Sequence, residues 1–171
     1  PKDELLAEMK QRKQQDADWR GGKTWSLIYP AGPEVDELLS EANHLYLYEN
    51  ALNPFRFPSL RQMEVDVVSM TGRLLHAPEG FGGCMTSGGT ESIIMAVKAA
   101  RNRARAERGV TEPQLVAPVS AHPAFGKAAE YLGLELVQIP LDGDFRADLD
   151  AAARLIGDRT ALVVGSAPNY P

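Results

Sequence analysis

The second half of the chain alternates short apolar segments with segments of helical periodicity, and no other feature constrains its fold as strongly. Short apolar runs are typical of buried strands, whereas apolar residues three and four positions apart are typical of helices. In chain order the segments are LVAPVS, AFGKAAEYLG, LELVQIP, DLDAAARLIG and TALVVGSAP. Strands that alternate with helices of about ten residues are typical of α/β units around a largely parallel sheet. We therefore predict an α/β fold with flanking helices.

The first part of the chain has a different pattern. A polar helix is predicted up to the Gly21-Gly22 pair, and Pro33 is expected to open a second helix over residues 34–47. The proline-rich stretch NALNPFRFPS that follows is incompatible with a regular helix or a central strand. We divide the chain into an N-terminal helical and loop segment, residues 1–60, and the N-terminal part of a larger domain, residues 61–171.

Composition argues against several classes of protein. The chain has 18 basic and 23 acidic residues, and this net charge of -5 does not suit a non-specific nucleic-acid binder. No apolar run approaches the roughly 20 residues that cross a bilayer, and the charged N-terminal residues do not resemble a signal peptide. Cys84 is the only cysteine, so an internal disulfide is excluded, no metal site is expected, and a cytoplasmic location is the default.

The last apolar segment is in an unusual place for a complete α/β fold. Residues 160–166 are apolar, and such strands normally lie in the interior of a parallel sheet. No segment that forms a covering helix follows before Pro171. We therefore expect these residues to be the N-terminal piece of a longer polypeptide.

The motif Ser87-Gly88-Gly89-Thr90-Glu91-Ser92 leads directly into a helical segment. Thr90 is predicted to be the N-cap of this helix. Amides around Gly89 and Thr90, together with the hydroxyl of Ser87 or Thr90, are suited to hold a phosphate at the helix N-terminus. A plain glycine-rich turn before a capped helix explains the spacing equally well. The motif matches neither the Walker loop nor the dinucleotide fingerprint.

Other polar residues follow the predicted strands. His122 lies just beyond LVAPVS and Asn169 just beyond the last strand, at the strand ends where open α/β sheets bind ligands. His122 is a candidate for ring stacking or proton transfer, although an isolated histidine is more often a surface or core residue. Asn50 and Asn53, from the proline-rich loop, are candidates to reach the same cleft.

Three stretches resemble the pyridoxal-phosphate-dependent group II decarboxylases, and most of all their sphingosine-1-phosphate lyase branch. They are GGCMTSGGTESIIMAVKAARNRA, VAPVSAHPAFGKAAEYLG and VVGSAPNYP, and the likeness extends over essentially the whole chain. The resemblance implies the fold type I of pyridoxal enzymes, whose large domain has a mostly parallel, mixed sheet. It also implies a homodimer with the active site at the subunit interface.

The resemblance also implies roles for individual residues. The implied set that binds pyridoxal 5'-phosphate is Ser87, Gly88, Gly89, Thr90, His122 and Asn169. Within this set His122 is the implied catalytic residue and stacks on the cofactor ring. Asn50 and Asn53 are implied on the substrate side, but Asn53 stands where the lyase branch has a histidine.

The implied activity is that of a carbon–carbon lyase that acts through an imine between the cofactor and a small-molecule amine or amino acid. It would be either an amino-acid carboxy-lyase or an aldehyde-lyase like the sphingosine-1-phosphate lyases. None of the six lysines follows a histidine, so the Schiff-base lysine and the aspartate that pairs with the pyridinium are expected beyond Pro171. Two alternatives are a non-catalytic fragment or paralogue that keeps the fold for dimerisation, and an unrelated phosphate-binding α/β module.

Overall fold

The computed structural model describes residues 1–24 and 28–167, and these ranges form an α/β structure. Their elements are α1 (Lys2–Lys13), α2 (Pro33–Leu45), α3 (Pro58–Leu74), α4 (Gly89–Arg108), β1 (Gln114–Pro118), α5 (Ala124–Leu132), β2 (Glu135–Ile139), α6 (Leu149–Leu155) and β3 (Thr160–Val163). The predicted fold of strands alternating with helices is thereby confirmed. The chain divides into two compact units, Pro1–Val67 and Val68–Pro171, while the domain boundary predicted after residue 60 stays a prediction.

In the first unit, α1 ends at Lys13, well before the predicted break at Gly21. The amides of residues 14–16 bond carbonyls three residues back, which tightens the last turn. The stretch KQRKQQD offers no apolar side chain to pack another helical turn against a neighbour. Asp18 then accepts the Gly21 amide at 2.9 Å and closes a separate turn. The predicted end was wrong because helix propensity alone does not extend a solvated helix.

Helix α2 begins at Pro33, as predicted, with Gly32 as its N-cap. The φ of Gly32 is +105°, a backbone conformation that L side chains rarely adopt. No residue of α2 is buried, and Leu38, Leu39 and Leu45 are 61–73% exposed. Among the described residues, no helix is both long and apolar enough to traverse a lipid bilayer.

In the second unit, the loop after α3 folds back onto that helix. Gly72 is buried, and the ring of Phe81 occupies the place that a side chain at Gly72 would take. One turn earlier, a Cβ at Gly83 would lie 2.9 Å from Cγ1 of Val68. Two glycines thus allow the approach of residues 81–83 to α3, and these residues lead into the motif that precedes α4.

The three strands form a parallel sheet in the order β2-β1-β3. Strand β1 ends at Pro118, earlier than the segment LVAPVS suggested, because a turn begins there in which the Ala121 amide donates to the Pro118 carbonyl at 2.9 Å. The two crossovers run in opposite directions across the sheet. Right-handed connections therefore place α5 and α6 on opposite faces.

The core lies between β1 and the pair of helices α4 and α5. Val97 of α4, Leu115 of β1 and Ala128 of α5 are all completely buried. Alanines at the interface allow the helices to approach the sheet closely. Gly133, where α5 was predicted to end, caps this helix in the left-handed conformation. This packing fixes α4 against the sheet.

Strand β3 was expected in the interior of a sheet, and this expectation stays a prediction. Among the described strands it pairs only with β1, and Val163 at its end is 45% exposed. The apolar pattern of residues 160–166 predicted the strand itself correctly. Its position in the sheet depends on long-range pairing, which the pattern does not specify.

A polar cluster holds the starts of the strands. The carboxylate of Glu135 accepts a hydrogen bond from Gln114 at 3.0 Å and another from Arg159 at 2.8 Å. Gln114 stands directly opposite Glu135 in the register of β1 and β2. The bond from Gln114, and then the charge of Arg159, hold the pKa of Glu135 below its ordinary value.

Replacing Gly72 with alanine is expected to lower the free energy of unfolding by about 1–3 kcal/mol, because the new methyl group must displace the ring of Phe81. Denaturant unfolding measures the change. Gly82→Ala is the matched control, since nothing lies within 4 Å of a Cβ there. Equal stability of the two variants would contradict the packing of Phe81 on Gly72.

The polar cluster predicts a pH dependence of stability. Because the pKa of Glu135 is lower in the folded chain, its contribution is complete above the ordinary carboxyl pKa and is lost as the pH falls through the lowered value. Between about pH 6 and about pH 3, Glu135→Gln should therefore lose less stability than the unmodified protein in thermal unfolding. Glu130→Gln, an exposed acid on α5 outside the cluster, should lose as much as the unmodified protein.

Candidate functional site

The N-cap of helix α4 lies two residues earlier than predicted. It is Gly88, and the first hydrogen bond of the helix runs from the Ser92 amide to the Gly88 carbonyl at 3.1 Å. The prediction that Thr90 is the N-cap was wrong, because Thr90 already lies within the helix. Gly88 has no side chain to cap the helix, so neighbouring side chains hold the turn before α4 in place.

Two pairs of side chains connect the loop to the first turn of α4. Both the amide and the hydroxyl of Ser87 donate to Oε2 of Glu91, each at 2.6 Å. The hydroxyls of Thr86 and Ser92 lie 2.6 Å apart, and the Thr86 hydroxyl also donates to the Gly88 carbonyl at 3.1 Å. We call these two pairs the loop staples. They connect residues 86–87 to residues 91–92 and leave the space beside the α-carbons of Gly88 and Gly89 open.

The first of the loop staples, between Ser87 and Glu91, lowers the pKa of the Glu91 carboxyl. The hydroxyl of Ser87, and then its amide, hold the pKa of Glu91 below the ordinary carboxyl value. Hydrogen bonds to a carboxylate stabilise its charged form, which accounts for the direction of the shift. Glu91 is therefore ionised at neutral pH with one oxygen turned toward Ser87.

The backbone between the loop staples faces open space. Nothing lies within 4 Å of a Cβ built on Gly88 or Gly89, and both residues are exposed with Thr90. The amides of Gly89, Thr90 and Glu91 precede the first hydrogen bond within α4, so the helix itself supplies no acceptor for them. Such amides, at the positive end of the helix dipole, can bind an anion.

Arg108 fixes the direction of α4 on the sheet. It donates to the carbonyls of Asp158 at 3.1 Å and Thr160 at 2.7 Å, where β3 begins. At the other end of the helix, Ile93 packs against the same core cluster as Ala121, which follows β1. The N-terminus of α4 therefore lies at the carboxyl edge of the sheet, where α/β proteins bind ligands.

His122 lies in the turn after β1, at this same edge, and its ring is exposed. Its Nδ1 accepts the Ala124 amide at 3.1 Å, which restrains the rotation of the ring. In a neutral ring with Nδ1 as an acceptor, the proton is on Nε2. The ring borders a cavity of about 180 Å³ together with Phe125 and Leu136.

The carboxyl edge also contains a larger cavity of about 840 Å³. It is bordered by residues that follow each of the three strands, among them Ser120, Leu141 and Gly165. His122 borders the smaller cavity and not this one, so the prediction that the polar strand-end residues share one cleft stays a prediction. Asn169, which we expected at the end of the last strand, lies outside the described residues.

Asn50 and Asn53 belong to the first compact unit, and both are exposed. Each side chain closes a short turn by accepting a backbone amide, from Leu52 at 3.1 Å and from Phe55 at 3.0 Å. Their carbonyl oxygens thus shape the loop NALNPFRFPS, and their amide nitrogens take no part in these two bonds. The substrate-side role of the two residues stays a prediction.

The sequence analysis did not identify the side chain of Glu91 as part of the site. A signal was present, because an acid at the third helical position after a serine-containing turn is typical of a capping box. Here the acid reaches one residue further back than in that motif, to Ser87 instead of the N-cap.

Comparison with known proteins agrees with this geometry. The pyridoxal-dependent decarboxylase conserved domain matches residues 21–165. Sphingosine-1-phosphate lyase 1 of Mus musculus is 41% identical over 98% of this chain, which spans 29% of that protein. A probable L-tyrosine/L-aspartate decarboxylase of Methanothermobacter thermautotrophicus is 43% identical over 71% of the chain, with 32% of its own length matched.

A solved structure has the same fold. The sphingosine-1-phosphate lyase of Burkholderia pseudomallei superposes with a TM-score of 0.88 and 37% identity, and the match covers 100% of this chain and 41% of that one. The predicted fold class is confirmed by this likeness. Since the conserved domain covers most of the described residues, the chain belongs to the pyridoxal-dependent decarboxylase family, whose members use pyridoxal phosphate as cofactor.

Proposed function

We propose that this chain is the cofactor-phosphate part of a pyridoxal-phosphate-dependent carbon–carbon lyase. The observation that supports it most is the exposed backbone of Gly88, Gly89 and Thr90 at the carboxyl edge of the sheet, where His122 also lies. This donor set fits a phosphate, because it consists of amides and a hydroxyl beside open space. The carboxylate of Glu91, in the first turn of α4, is engaged with Ser87.

The bound cofactor supplies an electron sink for the electrons left when a bond to the α-carbon of an amine breaks. The amides of Gly89 and Thr90, at the start of α4, would hold its phosphate. His122 presents a flat ring for stacking on the pyridine, and the Ala124 amide keeps that ring from rotating. Nε2 of His122 remains available to hold or transfer a proton. We propose Asn169 as a further member of this set, on the resemblance of VVGSAPNYP to the decarboxylases.

On the substrate side, we propose that Asn50 and Asn53 contact a small-molecule amine or amino acid. Two reactions are candidates. An aldehyde-lyase is favoured by the 41% identity to a sphingosine-1-phosphate lyase over 98% of the chain. A carboxy-lyase is favoured by the 43% identity to a probable amino-acid decarboxylase and by Asn53, which replaces the histidine of the lyase branch.

The working form is proposed to be a cytoplasmic homodimer with the active site at the subunit interface. Supporting this are the exposed leucines of α2, since 61–73% of the surface of Leu38, Leu39 and Leu45 is accessible in the single chain. The single cysteine is consistent with a reducing compartment.

The proposed activity is tested on the full-length protein that contains this chain. After incubation with pyridoxal phosphate and reduction with borohydride, mass spectrometry should find one pyridoxyl-lysine outside the 171 residues. Carbon dioxide release from amino acids is then measured beside aldehyde release from a phosphorylated sphingoid base. Cofactor binding without either product would favour the non-catalytic alternative, and absence of pyridoxyl-lysine would contradict the proposed activity.

His122→Ala should weaken cofactor binding by about 2- to 10-fold, as expected for the loss of one aromatic contact of about 0.5–1.5 kcal/mol. Because the ring is exposed but its Nδ1 accepts the Ala124 amide, unfolding should become easier by only about 1 kcal/mol, the cost of one lost cap. Cofactor absorbance during titration and thermal unfolding measure the two effects. His44→Ala, an exposed histidine of α2, is the control. A loss of stability with unchanged cofactor affinity would show that His122 serves the fold and not the cofactor.

A further inference from the structure

We propose that Glu91 is a positioning residue whose carboxylate holds the turn at Ser87 and Gly88, so that the amides that follow converge on the cofactor phosphate. This inference rests on the proposed function, because it concerns the phosphate end of the same site. Glu91 itself need not touch the cofactor.

A single carboxylate oxygen carries this connection. Oε2 of Glu91 accepts both the amide and the hydroxyl of Ser87, at 2.6 Å each. Two bonds from one residue to one oxygen fix the position of Ser87 and the rotation of its side chain. The second of the loop staples, between Thr86 and Ser92, runs beside the first. Together they restrict where residues 88–90 can lie.

The glycines require such a restraint. Neither Gly88 nor Gly89 has neighbouring atoms within 4 Å of a Cβ position, so packing does not fix their backbone. Glycine has more freedom to lose than other residues, and a ligand that must order a loop binds less tightly. The loop staples preorganise the backbone of Gly88 and Gly89 in the ligand-free protein.

The same bonds decide what Ser87 can do. Its two donors are already used by Glu91, so a contact between the Ser87 hydroxyl and a phosphate requires one of those bonds to break. In this proposal the phosphate is held by the amides of Gly89 and Thr90 and by the Thr90 hydroxyl. Ser87 acts through the shape of the turn.

Electrostatic repulsion alone would give Glu91 the opposite effect. A carboxylate near a phosphate repels it, and its removal would then tighten binding. Positioning predicts the reverse, because removal would release the glycine turn. The two effects have opposite signs, so one affinity measurement separates them.

The experiment uses the full-length protein freed of cofactor. Dissociation constants are measured for pyridoxal phosphate and for pyridoxal, which lacks the phosphate. Glu91→Ala should weaken pyridoxal phosphate by about tenfold and leave pyridoxal within about twofold. Glu91→Gln keeps an acceptor oxygen and should recover part of the loss. Glu107→Ala is the matched control, because this exposed acid of the same helix bonds Arg103 at 2.8 Å, far from the loop.

A tighter or unchanged affinity of Glu91→Ala for pyridoxal phosphate overturns the proposal, and so does an equal loss for both ligands. Ser87→Ala tests the route independently if Glu91→Ala does not fold. Added to Glu91→Gln, it should cost less than it does alone, whereas fully additive losses would mean that Ser87 contacts the phosphate directly. If the unmodified protein does not bind pyridoxal phosphate, the proposed function fails instead.

Discussion

The direction of α4 on the sheet is the constraint on which the candidate site depends. Val97 packs in the completely buried core with Leu115, and Arg108 bonds the carbonyls at the start of β3. These contacts place the C-terminus of α4 beside the N-terminal ends of the strands. With 20 residues and a length of about 30 Å, the helix then carries its N-terminus to the opposite edge, where the turn with His122 also lies.

The motif Ser87–Ser92 both exposes backbone amides and holds the turn in a defined shape, and the sequence alone does not show which residues do which. Gly88, Gly89 and Thr90 leave backbone and one hydroxyl accessible, whereas Ser87 and Glu91 bond each other. Small residues supply access at the expense of rigidity, and the polar pair restores the rigidity without occupying the space. This division explains how a loop rich in glycine can be exposed and still have a defined shape.

Local signals in the sequence predicted the elements around the site. Pro33 marked the start of α2, and Gly133 marked the end of α5, because each residue suits one backbone conformation. The prediction of Thr90 as N-cap was wrong. The turn before α4 is held by the side chain of Glu91, which accepts the Ser87 amide, and helix propensity does not encode this contact. The order of the three strands was not predicted, because strand order depends on pairing between distant residues.

The bonds of Arg108 have a consequence for local unfolding. Helix α4 connects the start of β3 to the glycine turn. Local unfolding that frees the carbonyls of Asp158 and Thr160 therefore also loosens the N-terminus of this helix. The hydrogen-bonded amides of α4, from Ser92 to its C-terminal turn, should therefore exchange with solvent deuterium as one cooperative unit, with similar opening free energies. The glycine turn would then lose the shape that binds an anion in the same partial unfolding event that opens the start of β3.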